Sequence, residues 1–279
     1  MRELELLMIE PELHRPSPGA SVAFGVGRHP LASRPTPRRN HLLAALPEAD
    51  YERLLPDLEP VRLPLGWTLQ AAGDREEHVH FLTTGIVTRF RETERGESTE
   101  FAITGREGVI GLASFLGGES TPNHAVVVSA GSAWRLPAAV LMHEFEQVGP
   151  LTRLLLRYTH ALIAQIGQSV ACSRHHPLEE RLCRLILSCL DRMPSYELTM
   201  TQELIARMLG VRREGVTEAA GRLQKAGLVH NSRGRIAVLD RPGLEAHACE
   251  CYAACRRMND EMHFQEVIGR MGESPARVS

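Results

Sequence analysis

The spacing of apolar residues changes several times along the chain. Residues 1–38 show almost no periodicity. Pro11, Pro16, Pro18, Pro30, Pro35 and Pro37 interrupt them, and they read as a poorly ordered tail. Leu42, Leu43, Leu46, Leu54 and Leu55 then give a short helical lead-in. From Val61 the pattern shortens to strands of five to seven residues between Gly-centred turns: VRLPLGWTL, HVHFLTTGIVTRF, TEFAITGREGVIG, HAVVVSAGSAWRLP. That rhythm predicts an all-β sandwich or jelly roll. Leu141 to Val148 reads as a short helix. From Pro150, Leu151, Leu155, Tyr158, Leu162, Gln165, Ser169 and Cys172 recur at threes and fours, which predicts a long helix to about Ser173 with a near-coiled-coil seam. One face of such a helix serves the β domain and another can serve a partner; the competing reading buries it in one subunit. His175-His176-Pro177 breaks the chain. Leu178 to Met193 is amphipathic.

The stretch Thr199 to Gly227 carries the most information. Thr199 and Gln202 form a capping-box pattern at a helix start. Leu204, Ile205, Met208 and Leu209 share one face, and Gly210 stops the helix. Val216, Ala219, Ala220 and Leu223 form the apolar face of a second helix that ends at Gly227. Two short helices joined by a Gly-containing turn make a helix-turn-helix. Leu228 and Val229, a turn through Asn231 to Arg235 and a strand from Ile236 to Asp240 add a β-hairpin, so the motif is winged. Pro242-Gly243 opens a last helix, from Leu244 to about Met262, and residues 263–279 read as a frayed tail.

The polar side of the second helix begins Arg212, Arg213, Glu214, Thr217, Glu218. Arg pairs bidentately with guanine, Glu accepts from cytosine and a Thr methyl touches that of thymine. Thr201, Gln202, Arg233 and Arg235 are placed to meet backbone phosphates, which position without specifying. A solvated helix pair is the bland alternative. Ala206, Gly210 and Val216 weigh against it, because small, turn and core residues at those intervals are what a tight helix crossing requires.

Residues 199–240 resemble the DNA-binding domain of the Crp/Fnr family of bacterial transcription regulators. There the turn and recognition helix commonly read G-x-[ST]-R-E-[TS]-V-[ST]-R; here they read Gly210-Val211-Arg212-Arg213-Glu214-Gly215-Val216-Thr217-Glu218. Arg213, Glu214 and Val216 match, while Arg212 replaces the usual cap and Glu218 a basic base reader. Residues 61–137 resemble that family's cyclic-nucleotide-binding-type β-roll, with HVHFLTTGIV matching one strand and the turn after it. The resemblance spans about residues 40–255. It implies an α+β fold: a β-roll of jelly-roll type (39–148), a long dimerisation helix (149–174) using Leu155, Tyr158, Leu162, Gln165 and Ser169, and a winged helix-turn-helix domain (175–262). It also implies a homodimer on a pseudo-palindromic operator, with double-stranded DNA and RNA polymerase as partners.

Charge sharpens this picture. The net charge of −2 excludes a general polyanion coat, yet residues 200–241 hold eight Arg or Lys against four acids. No run of 18 apolar residues exists and the start lacks a signal-peptide pattern, so no membrane partner and a cytoplasmic location are expected. In that compartment six Cys are reduced thiols rather than a disulfide framework.

Three other constellations could carry chemistry. The resemblance places an effector pocket at Gly111, Leu112, Asn123 and His124. Leu112 stands where cyclic-AMP-binding members have a Glu for the ribose, and no Arg stands near Asn123 and His124 for the phosphate, which argues against cyclic AMP. His78 and His80 share one strand face, the arrangement of a cupin-like metal enzyme with an accessory DNA-binding domain, but two His leave a site short of ligands. Cys249, Cys251 and Cys255 form a C-x-C-x3-C run that on one helix puts Cys251 and Cys255 together and Cys249 off that face. The N-terminal region holds no Cys, which argues against the family's iron–sulfur sensors. Free Cys packing as small hydrophobes is the default, so no metal site is expected, with metal or redox sensing through the C-terminal Cys as the alternative. No catalytic constellation stands out, and the chain does not read as an enzyme.

Overall fold

A computed structural model describes residues 36–94, 98–193, 197–232 and 234–261. The tails read from the sequence as 1–38 and 263–279 lie almost wholly outside them. Helices α1 (His41–Ala44) and α2 (Glu48–Leu54) lead in. Asn40 fixes them to the β domain. It is fully buried; its Oδ1 accepts from the amides of Leu42 and Leu43, and its Nδ2 donates to the carbonyls of Leu82 and Gly108 at 2.9 and 2.8 Å. One side chain thus satisfies four backbone groups that burial would otherwise orphan.

The roll comprises β1 (Glu59–Leu63), β2 (Thr68–Gln70), β3 (His78–Glu92), β4 (Ser98–Thr104), β5 (Val109–Ile110), the short α3 (Ala113–Leu116) and β6 (His124–Pro137). All pairings are antiparallel, in the order β1-β6-β3-β4, with β2 on β6 and β5 on β3. The expected strands of five to seven residues are corrected here: β3 and β6 run 15 and 14 residues. Gly85 does not end a strand. It takes φ +82° inside β3, facing Gly131 of β6, and the register shifts between Leu82 and Val87. A Cβ on Gly85 would lie 2.6 Å from the Ser129 carbonyl oxygen, and one on Gly131 would lie 2.2 Å from that of Thr84. The two glycines let long strands bend through the roll where a side chain would force them apart.

Helix α4 (Ala138–Glu146) leads into α5 (Pro150–His175), which packs on the roll through Leu151, Leu154, Leu155, Tyr158, Ala161 and Leu162. After Pro177 come α6 (Leu178–Leu190), β7 (Glu197–Thr199), α7 (Gln202–Leu209), α8 (Arg213–Lys225), β8 (Val229–Ser232) and β9 (Arg235–Val238), with the small sheet ordered β7-β9-β8. The single last helix of the sequence reading is instead two, α9 (Arg241–His247) and α10 (Glu250–Glu261), broken where Ala248 turns extended at ψ 149°.

One hydrophobic cluster spans the roll and the C-terminal half, joining Ile86, Phe90, Ile103 and Val128 to residues of α6, α7 and α8. Charge is buried at this seam. Arg192 Nε donates to Glu107 Oε1 at 2.6 Å, both side chains being largely enclosed. Glu100 is 8% exposed; burial pushes its carboxyl up to about 7, against the pull of Arg184 and Arg192. A carboxyl raised from an ordinary 4.5 contributes stability in full below that value and loses it as pH rises through about 7. Glu100→Gln is therefore expected to raise stability near pH 8 by up to about 3 kcal/mol, with the gain vanishing toward pH 4, by urea denaturation at both ends. An equal change at both pH values would contradict it.

Candidate nucleic-acid interface

The helix pair forms for local reasons. Thr201 caps α7, its Oγ1 accepting from the amide of Leu204 at 3.1 Å. The cap read at Thr199 is thus corrected by two residues: Thr199 ends β7, whose pairing to β9 leaves it no role at the helix start. Gly210 closes α7 at φ 63°, ψ 40°. Val216, Ala219, Ala220 and Leu223 bury one face of α8. That turns the opposite face, with Arg212, Arg213, Glu214, Thr217 and Glu218, to solvent. Arg212 sits at the N-cap but its side chain caps nothing, so it projects with the others. Gly215, where the family pattern carries Thr or Ser, lies under Leu178: an added Cβ would come within 3.0 Å of its Cδ2.

Two site residues from the sequence reading meet each other. Thr217 Oγ1 donates to Gln202 Oε1 at 2.7 Å, which ties the start of α7 to α8. Thr201 and Arg235 are exposed, Arg235 with Glu197 3.4 Å away; Arg233 lies outside the described residues. Arg207 faces away from this surface. Its guanidinium stacks on Phe90 with its carbon 4.9 Å from the ring centre, and its Nε donates to Ser98 Oγ at 2.8 Å. The first helix of the pair thus rests on the roll, leaving α8 outermost.

The face of α5 needs correction. Leu155, Tyr158, Leu162 and Ser169 are buried within the subunit and Gln165 is half-buried, so the seam read from the sequence faces inward. The outward apolar residues are Leu156, Ile163 and Val170, exposed by 48, 63 and 60% and spaced by seven.

A cavity of about 230 Å³ lies between the roll and α5, where Leu162 and Ile166 close it. Leu112, Asn123 and His124 are among its lining; Gly111 shapes the adjoining backbone at φ +112°, with no room for a Cβ beside Val79. The sequence reading missed its polar members, Gln70, Glu76 and Arg89. Arg89 is buried, donating to Thr104 Oγ1 at 2.6 Å and to the Val109 carbonyl at 2.9 Å. Burial pushes Glu76 above the usual carboxylate range, although Ser114 N donates to it at 3.0 Å. The Nε2 of Gln70 is buried and unpartnered among the described residues. These three come from β2, the loop after it and β3, at no spacing that a motif would mark.

Among the described residues, no third His, Cys, Asp or Glu joins His78 and His80 at ligand distance. Burial lowers His80 to about 4, which keeps it neutral. No described helix is long and apolar enough to cross a membrane.

Comparison with known proteins agrees with this geometry. Residues 180–247 match the Crp-like helix-turn-helix domain, and residues 60–147 match the cyclic nucleotide-binding domain. The chain is 26% identical over 184 residues to the global nitrogen regulator of Synechococcus elongatus, covering 63% of this chain and 83% of that one. It is 25% identical over 181 residues to the global nitrogen regulator of a Nostoc species, covering 61 and 81%. Among solved structures, FixK2 from Bradyrhizobium japonicum aligns with a TM-score of 0.60 at 18% identity, over 69% of this chain and 98% of FixK2. A CRP-family transcriptional regulator from Thermus thermophilus aligns with a TM-score of 0.57 at 20% identity, over 67 and 96%. These relatives are regulators rather than enzymes. The two domain matches cover the roll and the helix pair in the family's order, and the chain is a DNA-binding transcription regulator of the Crp/Fnr family.

Proposed function

We propose that the chain works in the cytoplasm as a homodimer that reads a pseudo-palindromic operator with two copies of α8 and acts on RNA polymerase. The observation that supports this most is the first two turns of α8: Arg213 and Glu214 project into solvent from a helix held from behind by Val216, Ala219 and Ala220. Arg213 and Glu214 read bases, with Arg212, Thr217 and Glu218 beside them. Thr201, Gln202, Arg233 and Arg235 hold phosphates. Leu156, Ile163 and Val170 supply the dimer seam, because a seven-residue apolar repeat on an exposed helix face is what a coiled-coil partner covers. That seam sets two recognition helices about one turn of B-DNA apart, roughly 34 Å.

The cavity against α5 is the effector site in this reading. A small polar ligand reaching Gln70, Glu76 and Arg89 would touch both the roll and α5, and so favour one packing of the long helix over another. Leu112 stands where cyclic-AMP-binding members carry the Glu that holds the ribose, which weighs against cyclic AMP as that ligand. Arg213→Ala tests the base assignment. It is expected to weaken operator binding by about 1–3 kcal/mol and to relax discrimination at one base pair per half-site. Equal weakening on every base substitution would assign Arg213 to phosphate instead.

A further inference from the structure

The α9–α10 break brings together residues that the sequence keeps apart. Cys172 lies in the last turn of α5 and His176 is its C-cap, four residues on, with its amide donating to the Cys172 carbonyl. Cys249, just ahead of α10, and Cys251, in its first turn, face them. The Sγ atoms of all three cysteines and a ring nitrogen of His176 lie within 4.8 Å of one another. Cys172 Sγ is 3.5 Å from Cys249 Sγ, and Cys251 Sγ is 3.5 Å from His176 Nδ1. A tetrahedral ion with metal–sulfur bonds of about 2.3 Å holds its sulfurs about 3.8 Å apart, so the donors already stand near that spacing.

The surroundings fit a ligand set as well. His176 Nε2 lies 3.1 Å from Glu250 Oε1. A carboxylate accepting that N–H leaves the Nδ1 lone pair facing the thiols, as the outer partners of metal-bound His do. Gln168 Nε2 donates to Cys251 Sγ at 2.9 Å, an N–H aimed at sulfur. A divalent ion with three thiolates carries one net negative charge. The guanidinium of Arg184, buried and with its Nε lacking a hydrogen-bond partner among the described residues, lies in electrostatic reach of Cys172.

We propose that Cys172, His176, Cys249 and Cys251 bind one thiophilic divalent cation of the zinc class, pinning α10 to the end of α5. Three Cys and one His are the donor set of closed structural zinc sites. The three thiols release their protons to solvent as the ion binds. A multi-iron cluster is a poorer match, because it spreads its four ligands over two or more irons and so needs some donors further apart than the 4.8 Å within which these four lie. The site straddles the joint between the long helix and the helix-turn-helix domain.

The test is metal analysis of the full chain purified reduced and without chelator, followed by cobalt(II) titration of the stripped protein. One equivalent of zinc per chain is expected. Cobalt should give thiolate-to-metal charge transfer and the visible bands of a tetrahedral site. Cys172→Ser and His176→Ala should change that spectrum, whereas Cys183→Ser and Cys255→Ser, outside the set, should not. Glu250 is exposed, so Glu250→Gln leaves the fold intact; it should keep the spectrum but lower metal affinity about 10–100-fold. A folded, reduced protein without stoichiometric metal would overturn the proposal. So would a Cys172–Cys249 disulfide in place of metal, an iron–sulfur absorption after anaerobic purification, or a cobalt spectrum unchanged by Cys172→Ser.

Discussion

Glu107→Ala is expected to cost about 3–5 kcal/mol of stability at neutral pH, because it strands a buried guanidinium. Glu107 sits in the turn between β4 and β5, and Arg192 just beyond α6, so their 2.6 Å pair bridges the roll and the helix-turn-helix domain. Burial pushes Glu107 up, but Arg192 and the backbone amides of Gly105 and Glu107 pull its carboxyl lower still, below the ordinary 4.5. A depressed carboxyl contributes stability above its unfolded value and loses it as pH falls, so the loss should shrink in acid. Removing both charges with Glu107→Leu and Arg192→Met should recover part of the loss, since the apolar pair removes the stranded charge and leaves only the Gly105 and Glu107 amides without their acceptor. Urea denaturation of the three proteins reads this directly. A loss below about 1 kcal/mol in the single variant would mean that water reaches Arg192.

Operator affinity is expected to fall by at least about 10³-fold between roughly 50 and 200 mM salt. Each subunit presents Arg212, Arg213, Lys225 and Arg235 to solvent. Even six cations meeting phosphate across a dimer give a slope of about −5 in log affinity against log salt. Arg207 is held on Phe90 and Ser98 and Arg222 on Glu179, so neither should contribute. Fluorescence anisotropy of a labelled operator across salt measures the slope. A slope near −1 would place the basic face of α8 off the DNA.

The helix pair was legible because its determinants are local: apolar spacing, a hydroxyl cap and glycine at Gly210 and Gly227. Even there the cap moved from Thr199 to Thr201, because a three-residue strand that no local pattern marks takes the earlier Thr. Gly85, inside the HVHFLTTGIVTRF run, is a related case. A positive-φ glycine marks a turn or a bulge equally well, and only its partner Gly131 decides. On α5 both Leu155/Leu162/Ser169 and Leu156/Ile163/Val170 repeat by seven, one residue apart, and spacing alone cannot say which set faces the roll. The polar cavity residues come from separate strands and loops, and the Cys172–His176 and Cys249–Cys251 pairs lie 77 residues apart, so each group meets only through the fold. For the latter, an extended Ala248 splits what apolar spacing reads as one helix.

The central claim, a two-fold-symmetric reader of DNA, is tested most directly by selecting binding sites from random duplex DNA with the purified full-length protein, with and without cell extract. The account predicts recovery of an inverted repeat whose half-site centres lie about one helical turn apart. Recovery of a single asymmetric half-site, or of no enriched sequence under either condition, would contradict it.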